Sequence, residues 1–129
     1  MKKLIKFTVF ISVLFMASWA YAESVKQTIS AAPATGTWTA SLMPDQSGSN
    51  KGFINVGISG VTPSGVTPWV ATVTLQRAHQ DDYTAWYNVY TWTADTERAF
   101  IDFEANVIYR IGIHINDYTS GTINVRLSK

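Results

Sequence analysis

Residues 107–115 read VIYRIGIHI, and this stretch decides the fold. Val107, Tyr109, Ile111, Ile113 and Ile115 alternate with Ile108, Arg110, Gly112 and His114. In an extended chain successive side chains point to opposite faces, so a period of two places each set on one face. The first set predicts a face turned to a core, and the second a face turned outward.

The same period recurs on either side. Residues 69–77, WVATVTLQR, set Trp69, Ala71, Val73 and Leu75 against Thr72, Thr74 and Gln76. Residues 38–42, 53–58, 86–93, 100–103 and 122–128 carry further extended runs. Between them lie residues rich in turn formers: PDQSGSNKG at 44–52, VTPSGVTP at 61–68, and NDYTSG at 116–121. Residues 78–85 read as a polar connection. No helical period follows the first segment. About seven strands, with turn signals every ~8–12 residues, predict an all-β, antiparallel sandwich. Trp86 opens a middle strand and Tyr109 lies near the start of the penultimate one, which suits an Ig-like or fibronectin-III-like sandwich. A jelly roll, which needs about eight strands, is the other topology open to this pattern.

The remainder divides into a leader and an arm. Residues 1–22 begin with Lys2, Lys3 and Lys6, continue through an apolar run at 7–16, and end on Ala20-Tyr21-Ala22. That order of parts predicts a secretory signal peptide cleaved after Ala22. The uncharged stretch at 7–22 is only 16 residues long, short of the ~20 that span a bilayer, so no stable membrane insertion is expected after cleavage. The expected location is periplasmic or extracellular. Residues 23–36, ESVKQTISAAPATG, read as a flexible arm that adds as a strand to a neighbouring copy, giving a homo-oligomer. Residues 37–129 are the β-sandwich domain.

Composition limits function. The 129 residues are 47% hydrophobic, 13% aromatic and 15% charged, with a formal charge of +1 and no cysteine. The leader takes three of the ten basic residues and none of the nine acidic ones, so the exported part is mildly acidic. It offers no basic field for nucleic acid. The absence of cysteine excludes disulfides, thiolate nucleophiles and Cys-based zinc sites.

His79 and His114 lack metal-ligand spacing, and no nucleophile elbow, phosphate loop or dinucleotide fingerprint occurs. No cofactor and no enzymatic activity are expected. Asp81 and Asp82 are adjacent acids that read as turn residues or as contacts to a partner or cation. Asp95, Glu97 and Asp117 complete the loop carboxylates on which a hydrolase would depend.

Aromatic residues are the one excess. Strict alternation over residues 86–92 puts Trp86, Asn88, Tyr90 and Trp92 on one face. An exposed strip of Trp86, Tyr90 and Trp92 suits a protein partner or the apolar faces of a cell-surface glycan. Together with Asp81, Asp82 and Tyr118 these are the candidate binding residues.

A resemblance bears on this reading. TVTLQR at 72–77, Trp86, Val89, Tyr109-Arg110-Ile111-Gly112, DYTSG at 117–121 and RLS at 126–128 together resemble small β-sandwich proteins of tailed bacteriophages and prophages. The family's Gly-Gly loop is here Gln80-Asp81-Asp82-Tyr83. The resemblance implies a virion accessory or structural module. With a leader in front, it implies a related sandwich redeployed outside the inner membrane.

Overall fold

A computed structural model describes residues 24–61 and 68–129. The expected signal peptide, residues 1–22, lies outside the described residues. The chain forms two packed, four-stranded antiparallel sheets, so the predicted all-β sandwich is what it builds. Among the described residues ten strands follow in order: β1 (Ser24–Ile29), β2 (Thr37–Trp38), β3 (Phe53–Gly60), β4 (Val70–Ala71), β5 (Val73–His79), β6 (Asp82–Trp92), β7 (Thr96–Ile101), β8 (Val107–Ile113), β9 (Tyr118–Ser120) and β10 (Ile123–Ser128). The first sheet runs β1-β10-β3-β7 and the second β2-β8-β5-β6, while β4 and β9 form a short ribbon.

The pairings are nested. β5 and β6 are joined by a tight hairpin, and outward from it β3 pairs β7, β2 pairs β8, and β1 pairs β10. The chain is one long hairpin rolled into two sheets. β10 then closes on β3, and β8 on β5. This order, with eight strands in the main sheets, is that of the jelly roll and settles which of the two sandwich topologies the chain adopts.

The core lies between the sheets. Ile54, Val56 and Ile58 of β3 and Val125 and Leu127 of β10 face Val73 and Leu75 of β5 and Tyr109, Ile111 and Ile113 of β8. Of these, Val73, Leu75, Tyr109, Ile111 and Ile113 are residues that alternation assigns inward, and no disulfide supports the core. Full burial of one such aliphatic side chain contributes roughly 1.5–3 kcal/mol. Ile115 departs from its expected inward position. β8 ends at Ile113, and Asn116 turns the chain with a φ of 72°, leaving Ile115 exposed.

Trp69 fills the end of the core beside the β4–β9 ribbon. Its indole N–H donates to Asp95 Oδ1 at 2.7 Å, and the Gly60 N–H donates to the same oxygen at 2.9 Å. A Cβ on Gly60 would lie 2.4 Å from the indole, so only glycine admits the ring there.

The expected flexible arm is corrected by the structure. Its first part is β1, which pairs with this chain's own β10 in unbroken register from Ser24↔Ser128 to Ile29↔Ile123. Ile29 is buried and Val25 packs on the core. The alternation in this stretch is therefore used within the chain. The first strand expected in the sandwich proper, at 38–42, is shorter than read: β2 stops at Trp38, Thr39 still exchanges hydrogen bonds with Ile111 of β8, and an isolated bridge joins Leu42 to Tyr109.

Candidate binding surface

The outer face of the second sheet carries a cluster of polar and aromatic side chains. In register across the sheet, Gln76 of β5 lies between Arg110 of β8 and Asn88 of β6. The Arg110 guanidinium is sandwiched between two indoles, with its carbon 4.5 Å from the Trp38 ring centroid and 4.1 Å from that of Trp86. Its Nε donates to Gln76 Oε1 at 2.8 Å. Gln76 Nε2 in turn donates to Asn88 Oδ1 at 2.8 Å. His114 Nε2 lies 3.2 Å from the same oxygen and 3.4 Å from Gln76 Nε2, and the Trp38 and His114 rings meet edge to face at 4.8 Å. Thr74 and Gln76 are buried beneath this layer although they point away from the core.

Gly112 makes the cluster possible. It occupies the outward position between Arg110 and His114. A Cβ there would lie 2.0 Å from the Thr37 carbonyl oxygen and 2.8 Å from the Trp38 Cα. Only a bare backbone lets β2 come close enough for Trp38 to lie against both neighbours. Burial lowers the pKa of Arg110, because part of its hydration is replaced by indole faces.

The expected aromatic strip is split. A register shift between Leu75 and Gln76 sets Tyr90 opposite Leu75 but Asn88 opposite Gln76, so Val89 is an extra residue. Such a bulge rotates the strand and breaks strict alternation. Trp86 and Asn88 therefore lie on the outer face with Arg110. Tyr90 and Trp92 turn to the core side, where Trp92 packs on the core and Tyr90 stacks on Trp92 at 5.9 Å and on Phe100 at 4.7 Å. Arg98 of β7 lies 5.2 Å from both the Tyr90 and Phe100 rings. Tyr83, Tyr87, Val89 and Tyr90 are all exposed on β6, the free edge of the second sheet.

The other candidates have local roles. Asp82 accepts hydrogen bonds from the Thr84 hydroxyl at 2.6 Å and the Thr84 N–H at 3.1 Å, and these hold its carboxyl below the usual range. Asp81 projects into solvent beside His79. The Tyr118 hydroxyl donates to the Gly121 carbonyl at 2.6 Å, closing the β9 turn. Asp95 is held by Trp69 and Gly60, and Glu97 by Arg126. Among the described residues no three His, Asp or Glu side chains converge on a metal-sized site.

At one end of the core, Arg77 donates to Asp102 at 2.8 Å and pairs with Glu104. Burial alone would lower the arginine's pKa, but these carboxylates raise it. His79 completes this network, 3.3 Å from Glu104.

An open groove of about 430 Å³ lies on the outer face of the first sheet over Gly57 and Ser59. Its walls hold no aromatic ring, and its Arg126 is paired with Glu97. The Arg110 surface has the richer recognition chemistry. Sequence reading placed Arg110 and His114 outward but missed the cluster with Trp38 and Gln76, because strand order is what brings β2 and β5 to either side of β8. No family model, curated protein or solved structure matches this chain.

Proposed function

We propose that this protein is an exported, non-enzymatic interaction module of the virion-accessory type, which assembles with further copies of itself through the β6 side of the sandwich. The observation that carries this reading is the exposure of β6. An edge strand that leaves Tyr83, Tyr87, Val89 and Tyr90 at 38–69% exposure presents the side chains that protein interfaces favour. Only Asp82, at its start, carries charge. The two irregularities of β6 disfavour simple strand addition, so recognition uses side chains. Light scattering from micromolar to millimolar concentration tests it: concentration-dependent association that Tyr87→Lys weakens is expected. A monomer throughout overturns the reading.

A second reading is favoured by a separate observation, the Trp38–Arg110–Trp86 cluster with Asn88 beside it. Indole edges next to amide and guanidinium donors suit a sugar ring and its substituents. Here the protein acts as a carbohydrate-binding module at a cell surface. A glycan array with the folded protein tests this, and an array without hits rules it out.

A further inference from the structure

Within the outer-face cluster the acceptors are turned inward. Gln76 Oε1 takes the Arg110 Nε–H, and Asn88 Oδ1 takes a hydrogen from Gln76, with His114 Nε2 3.2 Å away. What remains unused is almost entirely donor: the terminal nitrogens of Arg110, the Asn88 Nδ2 and the two indole N–H groups. Among the described residues no carboxylate pairs with Arg110, whose partners are Gln76, Trp38 and Trp86. No buried side-chain nitrogen there lacks a partner, so these unpaired terminal nitrogens open to solvent. Arg77 and Arg126, by contrast, each carry an acidic partner.

We propose that Arg110 anchors the carboxylate of an acidic sugar. The guanidinium plane is fixed by two indoles and by one hydrogen bond through Nε, so its outer N–H pair is held ready for a bidentate carboxylate. Fixing the fork in advance removes most of the ordering cost of binding. The sugar ring then lies along the edges of Trp38 and Trp86, and Asn88 Nδ2 donates to a ring hydroxyl. An acidic peptide fits less well. Arg110 stands on β8, whose backbone is paired on both sides by β2 and β5, so an extended chain would find no free strand to join. The inference rests on the glycan reading above and names its ligand class.

The test is a ¹⁵N NMR titration of the purified protein with sodium glucuronate, glucose and tri-glutamate at matched ionic strength. Glucuronate is expected to shift the Arg110 Nε–H and the Trp38 and Trp86 indole signals. It should bind about tenfold or more tightly than glucose, the ratio set by one charge-assisted hydrogen-bond pair. Arg110→Lys should remove that preference, and Asn88→Ala, at an exposed position, should weaken binding with the fold intact. Equal binding of glucose and glucuronate overturns the carboxylate site while leaving the glycan reading standing. No shift with either sugar overturns both. Tri-glutamate binding as tightly as glucuronate overturns the choice of a sugar. Because the comparison of probes is made on the unaltered protein, the outcome does not depend on any variant folding.

Discussion

The Tyr109 phenol donates to Asp102 Oδ2 at 2.6 Å, and Arg77 Nε donates to the same oxygen at 2.8 Å. Burial raises the Asp102 carboxyl, but the bonds from Tyr109 and Arg77 outweigh it and hold the pKa below the usual range. A carboxyl depressed in the folded state adds stability above its unfolded value of about 3.9 and loses it as the pH falls through the folded value. Asp102→Asn should therefore flatten the acid limb of a stability–pH curve, followed by urea midpoints, and cost about 1–3 kcal/mol at neutral pH.

The phenol predicts the opposite limb. Burial and the Asp102 carboxylate both raise the Tyr109 pKa. Stability from this group is complete below the unfolded value of about 10 and is lost as the pH rises above it. Spectrophotometric titration should show one phenol ionising late, together with unfolding, and Tyr109→Phe should remove that late component.

Gly60→Ala forces a methyl group against the Trp69 indole. Overpacking of this kind costs about 1–3 kcal/mol, and the shift should free the indole N–H from Asp95. A lowered urea midpoint with a red-shifted tryptophan emission is the expected signature. An unchanged midpoint would mean the ring has room that the structure denies it.

Gly112→Ala separates β2 from β8. The contact to the Thr37 carbonyl cannot be relieved without moving the strand, so Trp38 should leave Arg110 while the inner core survives. Circular dichroism should retain the sheet signal, and hydrogen exchange should rise selectively at residues 37–39.

Ile29→Ala distinguishes a strand from an arm. In the structure Ile29 is buried at the end of β1, and truncation should cost about 2–4 kcal/mol. An unstructured arm would give no change in a urea titration.

Much of this architecture was legible in the alternation of residues 107–113, 53–58 and 69–75, because one face of each strand had to be apolar. Strand order was not legible, since period two fixes faces but not neighbours. The split between Trp86 and Tyr90 was hidden because a bulge has no compulsory residue, and Val89 is an ordinary strand former. The arm was misread because Ala, Ser and Thr dilute the pattern of β1, where Val25 and Ile29 alone meet the core. Arg110 was correctly turned outward. Its two indole partners come from positions 38 and 86, and only the rolled hairpin brings them together.

β10 lies at the interior of the first sheet, between β1 and β3, yet it is the last of the described strands. Ser24 pairs with Ser128, and few native contacts span more of the sequence. Such remote pairings make closure slow. Until β10 has been made, β1 has no partner and β3 lacks one edge. The first sheet therefore forms in one late step, when residues 123–128 pair at once with two strands made long before them.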